Sequence, residues 1–453
     1  MQVTETNTDG LKRTLRIVLR QDELGERFSR RLDEVKDRVQ LKGFRKGRVP
    51  VAHLKKVFGR SLMAEVLEQA VKETSTQAIS ERKERPALQP DISLPEDKDE
   101  IEKVISGEAD FAYSMSFEVL PAIEITDLAE IKLERLVAEV DPADIDKAVG
   151  DLADRATTFE PDAGRAAEKG DRVTVDFVGK IDGVPFENGS DEDMALVIGQ
   201  GNFIPGFEDG LIGATSGEER VVSARFPDEY PAPDLAGKAA TFDVKVKEVA
   251  RPIKPAIDDA LATTLGLESL AKLREVVGAQ LQGELDAAAR LKLKRELLDA
   301  LDKAHTFELP GSLVEREFEN IWEQLVRNLE RSGKTLADEG KSEDEARAEY
   351  KRLAERRVRL GLVIGELGDK NKIEVTQDEL RRALVEQARR YPGQEKFVYE
   401  YFEKTPGAIQ ELRAPIFEDK VVDFVLELAK PSQSKVTKEE LMKRVAEVTE
   451  QEA

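Results

Sequence analysis

The chain has 453 residues and no cysteine. That excludes disulfide staples, thiol nucleophiles and thiolate-bound metals. It fits a reducing compartment, and a cytoplasmic protein is expected. Histidine is nearly as scarce, with His53 and His305 the only two. A histidine-ligated metal or a Ser-His triad lacks its parts, so neither cofactor nor metal is expected. No 18 apolar residues run together, so nothing is expected to span a membrane. The segment Met1 to Gly10 is polar and acidic, without the basic start and apolar stretch of a signal peptide.

What the chain does have is charge. Asp, Glu, Lys and Arg make up 36% of it and apolar residues 40%, a globular composition rich in charge. At roughly 100–200 residues per domain, the length suggests three domains. The net charge of −22 is uneven: residues 1–60 carry +8, residues 61–150 carry −13, residues 151–250 carry −11 and the rest −6. An acidic chain with one basic module points to an anionic partner for that module.

Periodicity divides the chain into three textures. Residues 11–19 partly alternate and predict a strand, and Leu24, Phe28, Leu32 and Val35 share one face of a helix over 22–40. A second helix is predicted over about 61–82, and Phe111, Tyr113, Met115 and Phe117 alternate as a closing strand. A connecting stretch, 116–149, ends in a short helix near 142–155. From Gly170 to Val249 short strands alternate with Gly, Pro and Asp turns, which predicts an antiparallel sheet. Beyond about 258 the pattern is helical, with capping boxes expected at Ser312…Glu315, Thr376…Glu379 and Thr437…Glu440. Gly333 and Gly340 bracket a polar stretch that fits either a loop or a hairpin tip.

Between Arg38 and Ala64 there are eight Lys/Arg and no Asp/Glu. Within it lies Gly43-Phe44-Arg45-Lys46-Gly47-Arg48-Val49-Pro50, a turn built to push one ring and several cations outward. Charge alone leaves two readings, a solvated basic loop or a docking loop whose cations meet phosphate or acidic protein. The segment resembles the signature of the bacterial trigger factor family, Gly-Phe-Arg-x-Gly-Lys-x-Pro, with Arg48 where the family usually has Lys. The resemblance implies that Gly43, Phe44, Arg45, Lys46, Gly47 and Arg48 dock on the ribosome beside the peptide exit tunnel, against ribosomal protein and rRNA. It also implies nascent and unfolded polypeptides as partners, no membrane, and room for a homodimer off the ribosome. A protein whose main task is holding RNA is disfavoured by the −22 charge. An enzyme of secreted proteins is disfavoured by the polar start.

Residues 170–249 resemble the FK506-binding protein family in several blocks. They include Gly170-Asp-Arg-Val-Thr-Val-Asp-Phe-Val-Gly179, Asp182-Gly-Val-Pro-Phe-Glu187, Ile198 to Leu211, Phe226-Pro-Asp-Glu-Tyr230 and Phe242-Asp-Val244. The resemblance implies peptidyl-prolyl cis–trans isomerase activity in a domain over 150–250. Its catalytic pocket would be lined by Phe177, Phe186, Met194, Phe203, Ile204, Phe207 and Phe242, with Glu187 at the rim and Tyr230 beside it. Phe207 stands where the small stand-alone members often have Trp. Pro231-Ala-Pro233 replaces their longer loop, which argues against tight macrolide binding. Each aromatic taken singly is also what fills a small β-domain core.

In the helical region, Leu313, Val314, Phe318, Ile321, Trp322, Leu325, Val326 and Leu329 form a stripe. It suits packing in a bundle, or an apolar surface left open for unfolded chains. The family resemblance continues through Phe307-Glu-Leu-Pro310 and Val375 to Glu379. The expected whole is a multidomain α+β protein: an N-terminal α+β ribosome-binding domain (1–115), the connecting segment, an FKBP-like antiparallel β-sheet isomerase domain, and an all-α chaperone domain (251–453).

Overall fold

The computed structural model describes residues 1–38, 44, 49–232, 234–405 and 407–450. Strands β1 (Gln2–Asp9) and β2 (Lys12–Leu19) form a hairpin, followed by helices α1 (Gln21–Arg38) and α2 (Val51–Arg82). Strand β3 (Asp91–Ser93), helix α3 (Lys98–Ser106) and strand β4 (Phe111–Glu118) complete the module, whose sheet order is β1-β2-β4-β3. Period-two alternation puts Leu15, Ile17 and Leu19 of β2 and Phe111, Tyr113, Met115 and Phe117 of β4 on one buried face. Helix residues Leu24, Ala70, Ala78 and Val104 cover that face. The buried Tyr113 hydroxyl is satisfied by Thr74 and Ser75, each at 2.8 Å. Helix α2 starts well before the predicted residue 61. Pro50, at φ −61° and ψ 135°, leads into it without needing an N–H, and Leu54 is already buried in its first turn. The polar, mostly exposed edge strand β1 gave no alternation to read.

Strand β5 (Glu134–Val137) and helix α4 (Pro142–Arg155) come next, the latter where the short helix was expected. Asp141 caps α4 and Pro142 opens it. A five-stranded antiparallel sheet then follows: β6 (Thr158–Pro161), β7 (Arg172–Ile181), β8 (Val184–Val197), β9 (Glu219–Arg225) and β10 (Ala239–Ile253). The long β10 is the spine. One edge pairs with β7, the other with β9 and then β6, and β8 lies outside β7.

The rest is helical except for one short strand: α5 (Asp259–Thr264), α6 (Leu270–Ala304), α7 (Gly311–Ser332), α8 (Glu343–Asn371), α9 (Gln377–Arg389), α10 (Glu395–Lys404), α11 (Ala408–Ala429), β11 (Ser432–Lys435) and α12 (Lys438–Glu450). Strand β11 pairs with β5. The chain divides into two compact units that do not follow sequence order. One is 1–135 with 292–433, and the other is 136–291 with 434–453. In the first, Ile123, Leu128 and Leu133 pack with Leu297 and Leu301 of α6, Val363 and Leu367 of α8, and Val421, Val422 and Val425 of α11. In the second, besides the sheet's own core, α4 packs through Val149 and Ala153 on Leu261, Leu273 and Val277.

The caps come out differently from one another. At α9 the box is complete, with Thr376 accepting from Glu379 N–H and Glu379 accepting in return. At α12 only the Thr437 hydroxyl cap is seen, and Glu440 reaches forward to Arg444 instead. Ser312 makes no box at all. Helix α7 begins one residue earlier, and both the N–H and the hydroxyl of Ser312 donate to the Glu118 carboxylate, at 2.8 and 2.6 Å. Two boxes that the reading missed, Thr335/Asp338 and Ser342/Glu345, resolve the stretch between Gly333 and Gly340 as a one-turn 3-10 helix leading into α8.

Candidate functional site

On the inward face of the five-stranded sheet, side chains at period two bring aromatic rings together. Phe177 comes from β7, Phe186 from β8 and Phe242 from β10, while Phe203 and Phe207 come from the segment between β8 and β9. Phe207, only 1% exposed, is the floor. Its ring lies 5.5 Å from Phe177 and 5.1 Å from Phe242 in edge contacts, and 5.2 Å from Phe203 in a stacked one. Phe186 stands edge-on to Phe242 at 6.1 Å. Met194, Ile204 and Tyr230 are half-buried against the same cluster. Eight of the nine residues read from the sequence therefore meet in one apolar bowl with a half-buried rim. The ninth, Glu187, is exposed on β8 and is not among the bowl's packed side chains.

Room for Phe186 depends on two glycines. A Cβ on Gly179 would sit 2.6 Å from the Phe186 ring and 2.7 Å from that of Phe242, and one on Gly189 would sit 2.6 Å from Phe186. Gly179 faces Phe242 across the β7–β10 ladder, so the gap between strands becomes the slot for the ring.

Two residues here escaped the sequence reading. Phe226, just past β9, is buried and bridges Phe186 at 5.8 Å and Tyr230 at 4.8 Å. Its signal was available, because it keeps the inward parity of Val222 and Ala224. Glu208 is buried next to Phe207, and its carboxylate accepts the N–H groups of Gly199, Gly201, Asn202 and Phe203 at 2.7, 3.1, 2.9 and 3.2 Å. Burial pulls its carboxyl pKa up, but the four donors outweigh burial and hold it below the ordinary glutamate value.

Of the basic loop, Gly43, Arg45, Lys46, Gly47 and Arg48 lie outside the described residues. Phe44 sits in a bend, 37% exposed, with its ring 5.2 Å from that of His53 in the first turn of α2. Val49 at the loop's end is buried in a cluster with Phe28, Leu32 and Leu54.

The α7 stripe divides along its length. Val314 and Ile321 are buried, Phe318 and Trp322 are half-buried, and Val326 is exposed. Trp322 stacks on Phe318 at 5.8 Å, meets Tyr350 of α8 at 6.2 Å and carries Arg347 over its face at 4.5 Å. The most exposed large apolar side chain in the helical region went unread: Phe397 of α10, with Tyr391, Tyr399 and Tyr401 near it in sequence, all exposed. The run Phe-Val-Tyr-Glu-Tyr-Phe holds more aromatics than one face of a ten-residue helix can bury.

Three family models match the chain in succession: bacterial trigger factor protein over residues 1–152, FKBP-type peptidyl-prolyl cis-trans isomerase over 163–247, and the trigger factor C-terminus over 269–427. Among curated relatives, the trigger factor of Parvibaculum lavamentivorans is 52% identical over 97% of this chain and 86% of that protein. The trigger factor of Azorhizobium caulinodans is 51% identical over 99% of each. The chain belongs to the trigger factor family. Its fold agrees with that of a solved trigger factor chaperone, described for promiscuous substrate recognition in folding and assembly, at a TM-score of 0.53 and 23% identity, over 94% of this chain and 99% of that one. The protein is thus a trigger factor chaperone and a peptidyl-prolyl cis–trans isomerase of the FKBP type. Trigger factors act on ribosomes and nascent chains. No helix among the described residues is long and apolar enough to cross a membrane. Among them, too, no cluster of three or more His, Asp or Glu is placed to hold a metal.

Proposed function

We propose that the aromatic bowl is the site of X-Pro isomerisation, with Phe177, Phe186, Met194, Phe203, Ile204, Phe207, Tyr230 and Phe242 contacting the peptide and Phe226 backing them. The observation that carries this reading is the packing of those side chains in one apolar cluster, in which Phe207 and Phe242 are buried and the other six are only half-buried. Rotation about the X-Pro bond is slowed by amide resonance, with a barrier of about 18–20 kcal/mol. The planar amide is more polar than the twisted one. Apolar walls that strip water from the carbonyl therefore favour the twisted state, and shape complementarity adds to that preference. No acid, base or metal is needed. Glu187 is proposed only as a rim contact that orients the peptide.

The loop Gly43–Arg48 is proposed as the ribosome anchor near the exit tunnel. The half-exposed Phe44 ring supports this, as does a window of cations free of acids. Helices α7, α10 and α11, which leave Val326, Phe397, Tyr399, Tyr401 and Leu428 exposed, are proposed as the surface that holds nascent and unfolded chains in the cytoplasm. A homodimer off the ribosome is proposed to bury the same side chains. The test is co-sedimentation with ribosomes after Phe44, Arg45 and Lys46 are changed together to Ala. Binding should be lost while isomerase activity on a short X-Pro peptide is kept. Undiminished binding would sink the docking assignment. Deleting about 150–247 should leave suppression of client aggregation in place. Its loss in a folded truncated chain would count against the helical surface.

A further inference from the structure

We propose that Glu208 is a positioning residue for the isomerase: its buried carboxylate gathers the loop 199–203 and thereby fixes Phe203 and Ile204 as the outer wall of the peptide site. The inference rests on the reading of the aromatic bowl as that site. Segment 199–208 carries three of the bowl's side chains, Phe203, Ile204 and Phe207. Its first part belongs to no strand or helix. Gly199 and Gly201 take positive φ, 91° and 72°, and so turn their N–H groups out of any ladder. Those groups need an acceptor, and a single side chain supplies it. One Glu208 oxygen takes Gly199 and Gly201, and the other takes Asn202 and Phe203.

The fourth of these bonds is the informative one. The Phe203 N–H, held at 3.2 Å, belongs to the residue whose ring stacks on the Phe207 floor at 5.2 Å. Glu208 is also the neighbour of Phe207 in sequence. The carboxylate therefore ties both ends of the segment together around the floor ring. A charge-assisted acceptor is stronger than a neutral one, and buried donors that lose it are left unsatisfied. Loosening it releases the wall and leaves the sheet intact, because none of the four N–H groups belongs to a strand.

The experiment uses the full-length protein with Glu208→Gln and Glu208→Asp. Steady-state KM and kcat are measured on a short X-Pro peptide, together with hydrogen exchange at the amides of Gly199, Gly201, Asn202 and Phe203. Val175 and Val246, fully buried in the sheet, report on the fold. Glutamine keeps one oxygen and turns an NH2 group towards one donor pair. We expect faster exchange at the four amides and a KM raised on the order of tenfold, with kcat changed less and the sheet amides still protected. Aspartate keeps the charge but reaches less far, and should fall between. Should Glu208→Gln not fold, the aspartate variant decides by the same readouts. Faster loop exchange with unchanged KM would overturn the proposal. So would an activity loss that only follows loss of protection at Val175 and Val246, which is a purely structural role. Phe207→Leu, assayed in parallel, separates the two readings: full activity there would overturn the bowl itself, and this inference with it.

Discussion

Phe207→Leu isolates what the floor ring contributes. The side chain is 1% exposed and touches three other rings. Truncation to alanine would cost about 3–5 kcal/mol, a large share of a typical domain's 5–15 kcal/mol. Such a variant would confuse unfolding with inactivity. Leucine keeps most of the apolar volume and loses the ring geometry. Three ring pairs at about 0.5–1.5 kcal/mol each set an upper range of roughly 1.5–4.5 kcal/mol. The pairs share one ring and leucine refills part of the space, so about 1–3 kcal/mol is the working figure. The isomerase sheet should stay folded, with its unfolding midpoint lowered. The floor is also what Phe203 stacks upon, so leucine lets the wall settle inward. kcat/KM on a short X-Pro peptide should fall on the order of tenfold or more. Near-UV circular dichroism gives the midpoint and peptide isomerisation gives the rate. A variant with lowered stability and untouched kcat/KM would refute the claim that these rings touch the substrate.

Gly179→Ala should drive its new methyl group into Phe186 and Phe242. A cost of about 1–3 kcal/mol and a loss of isomerase activity are expected, read by thermal unfolding and peptide assay. Glu379 is held at a pKa of about 2, first by the Thr376 backbone N–H and then by Lys420 and the Thr376 hydroxyl, against 4.5 for a free glutamate. Its contribution to stability is complete above the unfolded value and is lost as pH falls through about 2. Acid unfolding between those limits should therefore become shallower in Glu379→Gln, and an unchanged pH slope would contradict the assignment. At the start of α7, Glu118→Gln should cost about 1–3 kcal/mol, because the carboxylate takes both the N–H and the hydroxyl of Ser312 beside a helix N-terminus. Ser312→Ala keeps the N–H bond and should cost less. Urea midpoints in the reverse order would restore Ser312 as the cap.

Why some of this was legible and some was not comes down to the range of the interactions. Elements whose signal is local were readable. Phe111 to Phe117 alternate because one face of β4 is buried, and Thr376 caps α9 with a glutamate three residues on. The bowl was readable for a different reason: family blocks fix residue types in order along the chain, and the sheet then places Phe177, Phe186 and Phe242 on one face at known parity. What escaped were partners chosen across long sequence gaps. Ser312 has a glutamate three residues later and so looks like a capping box, yet it bonds to Glu118, which β4 delivers from 194 residues away. Phe307 to Pro310 carry no trace of that. Glu208 looks like a solvated acid in Phe-Glu-Asp-Gly. Only folding of the glycine loop around it turns four N–H groups inward and makes burial of a carboxylate favourable. Even the two-unit division depends on such gaps, since 121–133 finds its core among helices that follow the isomerase domain in sequence. A domain inserted between an N-terminal module and the helices that complete its unit can catalyse on its own sheet while the chain on either side closes around a separate core. That arrangement is the physical basis for expecting isomerisation and chain holding to be separable by mutation.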